Sequence, residues 1–442
     1  MKRACLFTHR SAPWRINGWR RFSASAYRAE IRDIDSLPQR LFPSYQESRG
    51  SDLLSLRWPS PPRNIFIVKK NRVPEVTNSL VEFIEHITST YPSLSIILEP
   101  SSADEVHSRL PVPVYTSTSD APLSAFTHDK VDLIVTLGGD GTILRASAFF
   151  ATCHNVPPML SFSMGTLGFL GEWKFDEYKR AFREVYMSGA GVGDRAGILG
   201  EAEPSNADVE PESGMGPTGW SSVRGKSLGS SRGARILMRN RLRVGLFSPD
   251  GRPLSTPKFS HAKGPKSDGR VYALNEVLIH RGREPHLAIV DVFVGGRFLT
   301  EAVADGVIVS TPTGSTAYSL SSGGSIVHPL VPSLLLTPVC ARSLSFRPLV
   351  LPSNTPVTLR LSKKNRGREV EVSIDGKSME QGMSVGMELR VWDEEIRHGK
   401  DDWRGGVPCV MRRTTGVSEP DDGWVGGLNS LLKFNYPFGA EA

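Results

Sequence analysis

The chain is poor in cysteine. Cys5, Cys153, Cys340 and Cys409 are its only four, scattered with no spacing that ligates zinc or frames disulfides, so they read as free thiols of a reducing compartment. Long apolar runs are missing as well: no stretch of about eighteen such residues occurs, which excludes a membrane-spanning helix. Acidic residues are absent before Glu30. Over that stretch Lys2, Arg3, Arg10, Arg15, Arg20 and Arg21 supply nearly all of the formal net charge of +7, and the remainder of the chain is close to neutral. Charge confined to one end gives no support for a nucleic-acid or membrane-surface partner, and neither is expected.

The same N-terminal stretch is rich in Arg, contains Ser11, Ser23 and Ser25, and carries the apolar Trp14, Ile16, Trp19 and Phe22. That is the composition of a mitochondrial transit peptide. "RRFSAS" (Arg20 to Ser25) resembles a matrix-processing site with cleavage after Phe22. Residues 1–22 are therefore expected to be a targeting peptide for the mitochondrial matrix, and residues 23–61 a flexible N-terminal segment.

What is present points to two folded domains, since 442 residues exceed one compact core and 39% of them are hydrophobic. The first, over 62–188, opens with the buried-strand pattern "NIFIVKK". A helix follows, with Val76, Leu80, Phe83, Ile84 and Ile87 on one face, then the strands "LSIILEP" and "VDLIVTL". Strands with little alternation that alternate with helices predict an open α/β sheet of Rossmann-like type, covered on both faces, whose ligands bind beyond the C-terminal ends of the strands. "LSFSMGTLGFLGEW" adds another strand and a second Gly-rich turn at Gly165 and Gly168.

Between 189 and 233 the composition collapses into Gly, Ser, Pro and Glu, which cannot bury enough surface to offset ordering entropy; a disordered insertion is expected. A second polar stretch runs from Ser248 to Arg270. From 234 to 412 the segments are short, β-branched and Gly-punctuated, among them "RLRVGLF", "YALNEVLIH", "LAIVDVFVGGRFLTE", "ADGVIVSTP" and "PVTLRLS". That spacing predicts an all-β sandwich. The apolar tail within 413–442 is expected to pack back on the α/β domain.

Three constellations carry chemistry. In "LGGDGT", Gly138, Gly139, Gly141 and Thr142 form the kind of turn that presents backbone N–H groups to phosphate at a helix N-terminus. Asp140 in its middle opposes that attraction, so it either holds a metal ion that accompanies the phosphate or takes a proton from the attacking group. In "ADGVIVSTPTGSTAYSLSSGGSIVHP", the hydroxyls of Thr311, Thr313, Ser315, Thr316, Ser319, Ser321 and Ser322 accompany glycines that let a ligand approach, and Tyr318 offers a ring for stacking on a base. Asn275 and Glu276 are adjacent polar residues inside the apolar strand "YALNEVLIH", pointing to opposite faces, so at least one is buried and needs a partner. A ribose diol is a suitable one, as is an edge-strand environment.

Taken together these residues resemble the NAD kinase family. "SLSFRPLVLP" and "LKFNYPF" look most like its fungal mitochondrial NADH kinases, and the likeness extends over about 64–189 and 235–438. GGDGT is shared with lipid kinases and phosphofructokinases, whereas the long TGSTAY segment is not.

The resemblance implies phosphoryl transfer from ATP, with Mg²⁺ or Mn²⁺ bound through its phosphates, to the 2′-hydroxyl of the adenosine ribose of NADH or NAD⁺. It places Asp140 beside the acceptor hydroxyl as its base or as the positioner of metal and phosphate. Asn275 and Glu276 match the ribose-binding pair. Thr313, Thr316, Ala317, Tyr318 and Ser321 match pocket-lining residues, and Asp305 and Asp375 match acids near the substrate. No protein metal cluster is implied beyond Asp140, and a homo-oligomer is. Where the family pattern reads Pro-His before "SLSFRP", this chain has Ala341 and Arg342. A fixed positive charge at the nicotinamide end would disfavour cationic NAD⁺ relative to NADH, which makes Arg342 a selectivity candidate. A GGDGT-type lipid kinase and a non-catalytic dinucleotide sensor are the alternatives.

Overall fold

A computed structural model describes residues 30–48, 51–91, 93–117, 123–165, 168–190, 233–254, 271–398 and 403–412, with 424, 428 and 432. The expected transit peptide at 1–22 and nearly all of the expected insertion at 189–233 lie outside the described residues, as does most of the polar stretch that starts at Ser248.

The first domain is built on one large sheet. Its strands run Ile31–Asp33, Val114–Thr116, Ser95–Leu98, Asn64–Lys69, Leu133–Leu137, Met159–Ser163 and Val407–Met411, with neighbours parallel throughout. Arg235–Arg239, Ser51–Arg57 and Ser44–Ser48 then continue it antiparallel. Every residue of the central strands Asn64–Lys69, Leu133–Leu137 and Met159–Ser163 is buried, as parallel strands covered on both faces require. The helix Pro74–Thr90 buries the expected face, Val76, Leu80, Phe83, Ile84 and Ile87, with Thr77 and Val81 alongside. Phe83 packs at its centre against the rings of Phe162, Tyr178 and Phe182.

Two boundaries differ from expectation. The flexible segment expected at 23–61 is corrected over its described part, where Ile31–Asp33 forms one edge of the sheet and Ser44–Ser48 with Ser51–Arg57 the other. Polar ties also fix the chain that leads from one edge to the other. Asp132, fully buried, accepts the backbone N–H groups of Leu41, Arg63 and Asn64 at 2.6, 2.7 and 2.9 Å, and Lys130 Nζ donates to the Leu37 carbonyl at 2.7 Å. The second difference lies within 234–412, whose first and last strands, Arg235–Arg239 and Val407–Met411, pair with each other and belong to the α/β sheet.

The remainder of 234–412 is the expected sandwich. One antiparallel sheet runs Val271–Ala273, Leu242–Phe247, Glu388–Asp393, Val357–Leu361, Ala288–Val294 and Arg297–Ala304. The other runs Leu349–Pro352, Ser333–Val339, Gly306–Ser310, Glu276–His280, Glu369–Ile374 and Lys377–Ser378. Val244, Val290, Val307, Leu336, Leu359 and Val391 fill the space between them. Of the 413–442 tail little is described: the Trp424 ring meets His328 edge-on at 4.7 Å, and the expected packing on the α/β domain lies outside the described residues.

Candidate active site

The GGDGT turn leaves the strand Leu133–Leu137 at its C-terminal end and opens the helix Asp140–Ala148, with Gly139 as its N-cap. Gly138 has a φ of +156°, and a Cβ there would overlap Thr142 Oγ1 and stand 3.2 Å from Lys70 Cβ. Only glycine fits. A Cβ on Gly139 or Gly141 would meet nothing within 4 Å, so these two expose bare backbone to open space. That space is a cleft of about 320 Å³ lined by Lys70, Asn71, Gly139, Gly141, Thr142 and Arg145. Two cations and a helix N-terminus around small residues suit a polyphosphate.

Asp140 is half-buried and is held from the second Gly-rich turn. Its Oδ2 accepts the Phe169 N–H at 3.0 Å and its Oδ1 accepts that of Leu170 at 3.1 Å. A Cβ on Gly168 would overlap Asp140 Oδ1, so glycine at 168 is what allows this loop to reach the carboxylate. The carboxylate thus ties two glycine turns together while keeping acceptor capacity on each oxygen.

"YALNEVLIH" is two strands where one is expected. The chain leaves one sandwich sheet at Ala273 and enters the other at Glu276, and the break frees backbone N–H groups. Asp375 takes all three: Leu274 N donates to its Oδ2 at 2.8 Å, and Asn275 N and Glu276 N to its Oδ1 at 2.7 and 3.2 Å. Asp375 sits in a left-handed conformation, φ +47°, on the hairpin after Glu369–Ile374. Burial pushes its pKa up, against the pull of those three donors. Burial and the Asp375 charge push Glu276 up to about 8. Asn275, 5% exposed, has its Oδ1 without a hydrogen-bond partner, and so has Glu276 its buried Oε2. Two orphaned acceptors side by side are costly unless a ligand supplies donors.

The TPTGSTAY loop is stitched to this break. Thr311 Oγ1 donates to the Leu274 carbonyl at 2.7 Å, Thr311 N donates to the Asn275 carbonyl at 2.9 Å, and a Cβ on Gly314 would overlap that same Asn275 carbonyl. Several expected ligand hydroxyls are consumed by the fold: Ser315 bridges to Val327 and Ser319 pairs with Thr337 at 2.8 Å, both fully buried. Thr313, also buried, receives an N–H from the buried Arg239 at 3.4 Å. Thr316 and Ala317 are half-buried, and Tyr318 and Ser321 are exposed.

The two halves face each other. Ile143 and Ala146, on the helix that begins at Asp140, share a buried cluster with Leu274, and Tyr272 N donates to the Ala151 carbonyl at 2.7 Å. Arg145 also lies near enough to Lys377, two residues after Asp375, for its charge to act there. Asp305 and Arg342 stand elsewhere. Asp305 precedes the strand Gly306–Ser310, whose other end pairs with Glu276, so it is roughly 16 Å from Glu276 at 3.3 Å per residue. Its carboxylate is paired with Arg281 at 2.5 Å, and the exposed Arg342 donates its backbone N–H to Val303 nearby. Lys70, Asn71 and Arg145 escape the sequence reading. The signal that finds them is position, because Lys70 and Asn71 follow directly on the C-terminal end of a parallel strand.

Known proteins match this arrangement in both halves. The model of the ATP-NAD kinase N-terminal domain matches residues 65–190 and that of the ATP-NAD kinase C-terminal domain residues 274–394. The mitochondrial NADH kinase of Schizosaccharomyces pombe is 37% identical over 422 residues, 94% of this chain and 88% of the relative. That of Saccharomyces cerevisiae is 33% identical over 438 residues, 92% and 89%. A crystal structure of yeast NADH kinase complexed with NADH superposes with a TM-score of 0.69 at 33% identity, covering 93% of this chain and 98% of that one. A glycine turn holding a carboxylate, set against a break that leaves two acceptors unpartnered, and matches that run through both domains lead to one conclusion: the chain belongs to the NAD kinase family.

Proposed function

We propose that the chain transfers the terminal phosphoryl group of ATP to the 2′-hydroxyl of the adenosine ribose of NADH, and less readily of NAD⁺, and so supplies NADPH in the mitochondrial matrix. The observation that carries the reading is the pair of orphaned acceptors, Asn275 Oδ1 and Glu276 Oε2, beside a phosphate turn with a carboxylate in it. As an NAD(H) kinase the protein is neither a lipid kinase nor a binding-only sensor.

In this reading the acceptor ribose donates its hydroxyls to Asn275 and Glu276, which Asp375 holds in place through the backbone. Phosphoryl transfer needs little covalent help, so the work of the protein is alignment and charge neutralisation. Asp140 aligns the 2′-hydroxyl and accepts its proton late in the transfer. Gly139 and Gly141 offer N–H groups to the phosphates, with Lys70 and Arg145 as countercharges.

No cluster of three or more His, Cys, Asp or Glu suited to a metal occurs among the described residues. A site with one carboxylate, Asp140, fits Mg²⁺ that arrives on ATP, because Mg²⁺ is commonly held by one or two carboxylates plus substrate phosphates. Bound there, it would offset phosphate charge.

A homo-oligomer fits the exposed Phe298, Leu299 and Val350 on the edge strands of the two sandwich sheets. Arg342 and Asp305 lie toward the far end of a dinucleotide anchored at Glu276, which suits contact with its nicotinamide half. The reading is tested by incubating the purified chain with ATP-Mg²⁺ and NADH or NAD⁺ in parallel. Product from both, with NADH favoured, is expected. Bound dinucleotide with no product from either would overturn it.

A further inference from the structure

Arg145 lines the phosphate cleft, yet its guanidinium is engaged elsewhere. Nη2 lies 3.0 Å from Glu99 Oε2 and also donates to the Lys69 carbonyl. Glu99 follows the strand Ser95–Leu98 and so stands, like Lys69 and Lys70, at the C-terminal edge of the parallel sheet. The pair is largely withdrawn from water, with side chains 24% and 14% exposed, but it lacks hydrogen-bond geometry: Arg145 Nε and Glu99 Oε2 are both buried without a hydrogen-bond partner. A desolvated ion pair with unmet donors and acceptors gives back little of its desolvation cost.

We propose that Glu99 and the polyphosphate of ATP compete for the guanidinium of Arg145, so that Glu99 sets nucleotide affinity from behind the phosphate cleft; this rests on reading the GGDGT cleft as the ATP site. An ATP phosphate carries more charge than one carboxylate and matches the planar guanidinium fork, so the exchange favours the nucleotide. Glu99 is not stranded by it. Lys377 and Lys69 also act on its charge, which burial still destabilises. Lys69 is occupied by Glu105 at 2.8 Å, whereas Lys377 makes no ion pair among the described residues and can take over as the counterion. Lys377 belongs to the hairpin that carries Asp375.

The test is isothermal titration calorimetry of ATP-Mg²⁺, and separately of NADH, into the full chain. Glu99→Gln is expected to tighten ATP three- to tenfold, and Arg145→Met to weaken it at least tenfold. The double variant should match Arg145→Met alone, because Glu99 has nothing left to compete for. NADH affinity should stay constant throughout. Unchanged or weakened ATP binding in Glu99→Gln, or additive effects in the double variant, would overturn the proposal. If Glu99→Gln does not fold, Glu99→Asp, with its shorter reach, should tighten ATP in the same direction; no change there counts equally against competition. ATP bound without NADPH formed would remove the kinase reading while leaving this one standing. NADPH formed with no tightening would remove only this one.

Discussion

The guanidinium of Arg241 meets the carboxylate of Glu394 at 2.6 Å with both side chains 1% exposed, inside the contact between the two domains. Arg241 also donates to the carbonyls of Phe150, Cys153 and His154 in the segment that follows the helix Asp140–Ala148, and Glu394 accepts the Gly406 N–H at 2.8 Å. Breaking such a pair leaves an uncompensated buried charge, which costs about 3–5 kcal/mol. Glu394→Gln should lose that much stability in urea denaturation. Arg241→Met with Glu394→Leu should lose clearly less, and equal losses would show that packing, not charge, holds the domains.

Asp140 should separate turnover from binding. Asp140→Asn removes an acceptor oxygen from the Phe169 and Leu170 N–H groups and removes the proton acceptor. kcat is expected to fall about 100-fold or more with NADH affinity retained. Gly168→Ala should mimic this, because its Cβ displaces the same carboxylate. Calorimetry alongside steady-state rates checks both, and an active Asp140→Asn enzyme would remove Asp140 from the chemistry.

Glu276 makes two signed pH predictions. Its carboxyl is raised from 4.5 to about 8, so between those values the folded state keeps a proton that the unfolded state has released. Stability should fall with rising pH across that window and level off above it. Ribose hydroxyls donate best to the ionised form, so NADH affinity should rise with pH up to about 8 and then flatten. Glu276→Gln should abolish both trends; a binding trend that survives in it comes from another group.

The α/β half is largely legible in the sequence. Fully apolar strands and a helix with a clear face mark it from Asn64 onward, and the Gly turn marks its functional edge. Ile31–Asp33, Ser44–Ser48 and Ser51–Arg57 are not legible, because they are rich in polar residues and their places are set by partners distant in the chain, Val114–Thr116 for the first and Arg235–Arg239 for the last. Nor is the placement of Val407–Met411, since local pattern names a strand but not its partner. In the site, Asn275, Glu276 and Asp140 stand out as polar residues where apolar or glycine residues are expected. Arg145 reads as an ordinary helix charge until Glu99 is found beside it, and that contact joins elements far apart in the chain.

Arg342 should govern the choice between NADH and NAD⁺. Like charges about 8 Å apart cost about 0.5–2 kcal/mol for effective dielectrics from 80 down to 20, or roughly two- to thirtyfold in preference. Arg342→His, assayed above pH 7.5 where an ordinary imidazole is neutral, should shift kcat/KM toward NAD⁺ by that factor. An unchanged ratio would end the charge explanation.

Val407–Met411 has one more implication, for how the protein is made. A strand from the last tenth of the chain sits between Met159–Ser163 and Arg235–Arg239, so the sheet that carries the phosphate turn has a gap at its middle until that strand arrives. On the ribosome the sandwich, whose strands all lie within residues 242–393, can pair its own neighbours first, while the earlier-synthesised half waits for its missing partner. Nascent chains of this enzyme therefore spend most of their synthesis with an open sheet edge, and a product truncated before residue 407 lacks the strand that fills it.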